Sequence, residues 1–204
     1  MSAEGPILVT GFEPFGGEAI NASWEAVQLL PDSIEGSHVE RRLLPVEFGR
    51  SGDVLCDELD RLSPTLVLAV GEAGGRAHVS VERVALNIMS ARMPDNAGFA
   101  PQGEPVLAGA PDALLATLPV DACVDAARTA GVPTDASETA GLYVCNQLMY
   151  RLLYALRTAG KKAPAGFVHV PYVAEQVLER KETPFMPADY AARALVAIAR
   201  AALC

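Results

Sequence analysis

Thr65-Leu66-Val67-Leu68-Ala69-Val70-Gly71 is an uninterrupted apolar run closed by a glycine. A short run of this kind, too brief for a helix and rich in branched side chains, reads as a strand covered on both faces. That is the habit of a parallel sheet. Upstream, Ser51 to Leu62 has helical periodicity, with Cys56 on its apolar side. Further upstream, Ile7-Leu8-Val9-Thr10-Gly11-Phe12 is a second buried strand, followed by the loop Glu13-Pro14-Phe15-Gly16-Gly17. Asn21-Ala22-Ser23 opens a helix to about Leu30, which Pro31 stops. Arg41 to Phe48 reads as a strand broken at Pro45.

Downstream, Val79 to Ile88 is extended, and residues 92–111 form a Pro- and Gly-rich excursion of the kind used as a lid or an interface arm. Helical pattern is expected again from Asp112 and from Val120 to Ala130, where Cys123 falls in the core. A short segment, Thr134 to Ser137, leads to a Gly-containing turn. After Asn146, Leu148, Met149, Leu152, Leu153 and Leu156 recur at helical spacing. Gly166-Phe167-Val168-His169-Val170-Pro171-Tyr172 is another strand pattern, and a last helix spans Ala188 to Ala202. Alternating strands and helices predict a single α/β/α domain over residues 1–204, with a largely parallel mixed sheet of the phosphorylase/hydrolase-like type. Sites in such folds lie beyond the carboxyl ends of the strands. The Phe12 loop, the Gly71 loop, the Cys145 turn and His169 can meet there.

Composition narrows the classes. The chain has 204 residues, half of them hydrophobic and a fifth charged, which suits a folded domain with a large core. A formal charge of −9 disfavours nucleic acid and anionic membrane surfaces as partners. Cysteines at 56, 123, 145 and 204 and histidines at 38, 78 and 169 show no metal-ligand spacing, so neither a metal nor a cofactor is expected. Scattered thiols and an N-terminus without a leader pattern predict a cytoplasmic protein. Neither Gly11–Gly17 nor Gly71–Arg76 matches a phosphate-loop pattern.

The chemistry-bearing residues are Cys145 and His169. A thiol at a helix start meets unpaired N–H groups and the positive end of the macrodipole, which favour its ionised form. A histidine at the end of a neighbouring strand completes a nucleophile–base pair. Each also has a plainer reading: a buried cysteine packs as a small hydrophobe, and a histidine in an apolar strand sits in the core. Phe12 and Phe15, flanking Pro14, read equally as core or as an apolar wall for a small flat ligand.

TGFEPFGG at 10–17, NASWEAV at 21–27, GEAGGR at 71–76, ERVALNI at 82–88, ARMPDN at 91–96, TAGLYVCN at 139–146 and GFVHVPY at 166–172 occur in one order. In that order they resemble the pyroglutamyl peptidase I family over nearly the whole chain. The resemblance implies a cytosolic cysteine exopeptidase that removes N-terminal pyroglutamyl residues from peptides, generally as a homotetramer. By motif match it implies Cys145 as nucleophile, His169 as base and Glu82 as the third triad member. It also implies Phe12, Phe15 and Tyr143 around the lactam ring, Glu72 in the pocket, and Arg92 assisting backbone N–H groups at the oxyanion. The family pattern has glutamine where this chain has Glu72, aspartate where it has Ser90, phenylalanine where it has Tyr143, and proline where it has Ala22. Two rivals remain at this point: a binding module that holds the ring without cutting it, and a nucleoside-phosphorylase-like enzyme.

Overall fold

The computed structural model describes residues 5–204. Strand β1 (Ile7–Phe12) is followed by helix α1 (Ala22–Gln28), strands β2 (Ser33–Ile34) and β3 (Ser37–Leu44), helix α2 (Arg50–Leu62) and strand β4 (Leu66–Glu72). Four short strands come next: β5 (Val79–Glu82), β6 (Val84–Leu86), β7 (Met89–Ser90) and β8 (Gln102–Glu104). Then come β9 (Ala113–Leu115), α3 (Val120–Thr129), β10 (Thr134–Ser137), α4 (Val144–Thr158), β11 (Ala165–Val170) and α5 (Ala188–Leu203).

Seven strands form one mixed sheet in the order β10-β5-β11-β4-β1-β3-β2. The apolar run from Leu66 to Gly71 lies in its middle strand, and every residue of β4 is buried. It pairs in parallel with β1 and β11. Alternation along these strands splits the core into two layers. Leu66, Leu68 and Val70 face α1, α3 and α5, while Val67 and Ala69 face α2 and α4. These are the three layers read from the sequence. Three strands run against the parallel β11-β4-β1-β3 set: β5 and β10, parallel to each other, on the β11 side, and β2 beside β3.

Several local expectations are corrected. Residues Ala113–Leu115 do not begin a helix; they pair antiparallel with Val84–Leu86. Tertiary pairing outweighs a local pattern that three apolar residues cannot make specific. The strand read at Arg41 to Phe48 starts earlier and stops at Leu44, just before Pro45. Cys56 is half-buried rather than core, whereas Cys123 is fully buried and Cys204 exposed. The 92–111 arm is stitched to its own body. Asp95 accepts from the backbone N–H groups of Phe48, Ala97 and Phe99 at 2.8, 3.0 and 2.8 Å. Asn96 Nδ2 donates to Glu13 Oε1 at 2.8 Å and to the Pro14 carbonyl at 2.9 Å. Among the described residues no helix is long and apolar enough to cross a membrane.

Gly71 sits where β4 passes beneath the first turn of α4. A Cβ built there would lie 2.6 Å from Phe167 Cζ and 3.0 Å from Cys145 Sγ. Its φ is ordinary, so the requirement is space alone. Gly71→Ala is expected to displace the sulfur and the Phe167 ring, destabilising by about 1–3 kcal/mol as overpacking does. Thermal unfolding and the rate of Cys145 alkylation report the two effects; unchanged values for both would show the site to be looser than this.

Candidate active site

Cys145 is the second residue of α4, whose N-cap, Tyr143, makes no side-chain capping bond to the first turn. The chain reaches α4 through Gly141, at φ 78°, a conformation glycine adopts without strain. Asn146 fixes the helix start: its Oδ1 accepts from the Leu86 N–H at 2.8 Å, and its Nδ2 donates to the carbonyls of Leu86 and Ile88 at 2.9 and 3.0 Å. One amide side chain therefore mimics a strand edge and ties α4 to β6. On the sheet below, His169 of β11 stands in register with Gly71 of β4, and the space left by that glycine holds the sulfur.

Glu82 and His169 are both buried, and Glu82 Oε1 accepts from His169 Nδ1 at 2.7 Å. The same oxygen accepts from Arg76 Nη1 at 2.9 Å. Burial opposes the charge on Glu82, but hydrogen bonding and charge from His169, with further bonds from Ser137 and Arg76, outweigh it and hold the carboxyl below its usual range. The pair is therefore stabilising above the unfolded carboxylate pKa and is lost as pH falls through the lowered folded value. Glu82 Oε2 is buried without a hydrogen-bond partner.

A cavity of about 220 Å³ joins these groups. Its apolar wall includes Phe12, Phe15, Val46 and Tyr143, and its polar side carries Glu72, Arg76, Cys145 and His169. The sequence reading thus has all its proposed pocket residues on one cavity except two. Glu82 stands behind His169, and Arg92 lines an adjoining cavity with Phe15, Ser90, Met93, Gly141, Leu142 and Tyr143. Arg92 is exposed, and the oxyanion assistance suggested for it finds no support in that position.

The expected acidification of Cys145 is also corrected. Burial pushes its thiol up to about 12, and the carboxylates of Glu82 and Glu72 add to the rise. Its own backbone N–H and Arg76 pull the other way and lose. A helix terminus contributes only a fraction of a charge, which two full carboxylates and desolvation exceed. At rest the Cys145 thiol is neutral, and a base is needed to make it a thiolate.

Glu72 does not pair with Arg76. Its Oε2 accepts from the Ala22 N–H at the start of α1 and from Gln176 Nε2, both at 2.8 Å. Gln176 in turn accepts from the Val173 N–H at 3.1 Å. Burial raises the Glu72 pKa, against the lowering effect of those two donors. Sequence reading missed Gln176, a single glutamine in a three-residue 3-10 turn (Ala174–Gln176) with no motif to mark it. It also missed the role of Arg76, although the Gly-rich motif carrying it stood in view.

A family model described as Pyroglutamyl peptidase matches residues 6–204. The pyrrolidone-carboxylate peptidase of Thermococcus onnurineus is 48% identical over 197 residues, covering 97% of this chain and 98% of the relative. That of Erwinia tasmaniensis is 51% identical over 181 residues, covering 88% and 84%. Among solved structures, pyroglutamyl peptidase I of Bacillus amyloliquefaciens superposes with a TM-score of 0.93 at 38% identity, over 98% of this chain and 97% of that one. Pyrrolidone carboxyl peptidase of Pyrococcus furiosus does so with 0.93 and 38%, over 97% and 98%. With its seven motifs, its three-layer fold and its full-length relatives in agreement, the chain belongs to the pyroglutamyl peptidase family.

Proposed function

We propose that this chain is a cysteine exopeptidase that removes N-terminal pyroglutamyl residues from peptides, with residues 1–204 acting as one catalytic domain. The observation that carries the mechanism is the 2.7 Å contact of Glu82 with His169 beside the cavity that holds Cys145. Glu82 accepts the Nδ1 proton and so presents the unprotonated Nε2 to the cavity. That nitrogen takes the Cys145 proton as the sulfur attacks the pyroglutamyl carbonyl carbon. The C–N bond then breaks, the imidazolium returns the proton to the leaving amine, and a thioester remains. Water, deprotonated by His169, hydrolyses the thioester and regenerates the thiol. Backbone N–H groups at the start of α4 hold the oxyanion in this reading.

The cavity's size and wall suit a small uncharged ring. It is smaller than the usual ~300 Å³ lower bound for drug-sized ligands, so it takes one residue and leaves the rest of the peptide outside. Phe12, Phe15 and Tyr143 supply apolar faces. A free N-terminal glutamate would bring a second carboxylate in beside Glu72, and the cation on that wall, Arg76, is already paired with Glu82. The family supports a cytoplasmic location and a homotetramer. The arm at 92–111, being held by its own body, gives the tetramer no independent argument. Purified protein should release the chromophore from a pyroglutamyl arylamide, and stoichiometric alkylation of Cys145 should stop it. An active preparation insensitive to alkylation, or no release at all, would sink the reading.

Glu72 sets a pH dependence. When ionised, it offers the lactam only acceptors; when protonated, it gains a donor. KM should fall as pH drops through its raised pKa. Glu72→Gln keeps an acceptor for Ala22 and Gln176 and should flatten the acid side of the KM profile, with a lower KM near neutrality. Superimposable KM profiles for the two proteins would remove Glu72 from substrate contact.

A further inference from the structure

The ring cavity and the adjoining Arg92 cavity share Phe15, Gly141 and Tyr143 as a common wall. The second cavity is larger, about 510 Å³, and its lining from Met93 and Leu142 is apolar apart from Ser90 and Arg92. Resting on the peptidase reading above, we propose that this second cavity receives the residue that follows pyroglutamate, and that Arg92 makes the enzyme favour an acidic side chain there.

The charges lining the two cavities give the direction. The ring cavity carries Glu72 and an Arg76 already committed to Glu82. Arg92 is the cation of the second cavity, and no ion pair is formed by it among the described residues. The carboxylate nearest to it in sequence, Asp95, is occupied by three backbone N–H groups and by its own burial. A peptide with its uncharged ring beside Glu72 therefore meets a free guanidinium on its leaving side. In a chain of net charge −9, which repels anionic peptides at long range, this is where a carboxylate is attracted. Tyr143 links the two cavities: its ring meets Phe15 and Phe48 at 6.2 and 5.3 Å, and its hydroxyl donates to the Pro94 carbonyl at 3.1 Å. The wall that separates ring from leaving residue is thus anchored to the segment that bears Arg92.

Arg92 is exposed, so the preference has the size of a surface ion pair, about threefold to fivefold in kcat/KM. The test compares pyroglutamyl-glutamate amide with pyroglutamyl-glutamine amide, which differ by one carboxylate on the leaving residue. Wild type should cleave the glutamate substrate faster at low salt. The ratio should approach one in about 0.5 M sodium chloride, where charges are screened over a few ångströms. Arg92→Gln should abolish the ratio, and Arg92→Glu should invert it. A ratio near one in wild type, or one that survives in Arg92→Gln, overturns the subsite while leaving the peptidase reading intact. Failure to cleave either substrate overturns both.

Discussion

Cys145→Ser is expected to abolish turnover, with a loss of at least about 10⁴ in kcat, while folding and ring binding persist. The burial and the two carboxylates that lift the thiol to about 12 act on any ionising group at that position. A serine hydroxyl starts from a much higher pKa, so the same surroundings put its alkoxide out of reach of an imidazole base. Oxygen is smaller than sulfur, and the space above Gly71 accepts it without strain. Cys56→Ser, on the half-buried side of α2, should leave kcat unaltered, and Cys123→Ser should cost stability alone. Arylamide turnover and the melting temperature of the three variants make the comparison. Substantial hydrolysis by Cys145→Ser would remove Cys145 as nucleophile.

His169→Ala is the second large effect, about 10²–10⁴ in kcat, the range of a missing general base. It should also slow alkylation of Cys145, because the thiol then has no acceptor for its proton. Glu82→Gln should cost about tenfold less than His169→Ala. In serine-protease triads the matching amide variant is severe because the amide N–H₂ can turn towards the histidine and impose the wrong tautomer. Here the oxygen that faces His169 is also bonded to Arg76 at 2.9 Å, and both partners are donors. They pin the glutamine carbonyl in place of Oε1, so the tautomer survives and only the charge is lost. Arg76→Met combined with Glu82→Gln should release the amide and bring the loss up to that of His169→Ala. Equal, slight losses in the histidine and glutamate variants would make the pair structural.

How much of this was legible in the sequence depends on the range of the forces involved. The Leu66–Val70 run and the 3.6-residue pattern after Asn146 are local, and they gave the sheet, the α4 helix and the layers. Ala113–Leu115 took strand form because β6 lay waiting for it, a fact recorded thirty residues away. The reversal of β5 has no local mark either, since an apolar strand reads alike in both directions. At the site, residue types and motif order located Cys145, His169 and Glu82. The thiol's pKa was misread because the helix terminus is visible in sequence and the two neighbouring carboxylates are not. The cavity that Arg92 lines was not legible either: a charged residue in a family motif says nothing of which side of Tyr143 it occupies.

The bonds that assemble the site join residues far apart along the chain. Asn146 reaches back 60 residues to Leu86, His169 reaches 87 to Glu82, and Gln176 reaches 104 to Glu72. During synthesis the chain leaves the ribosome from its N-terminal end at about 5–20 residues per second. The pocket's first walls, Phe12 and Phe15, emerge early, yet the base arrives only with β11 and the clamp on Glu72 only after it. Loop closure over such spans must be completed before the contacts repay it. Fragments that end before Gln176 are therefore expected to lack the completed pocket and to release no chromophore from a pyroglutamyl arylamide.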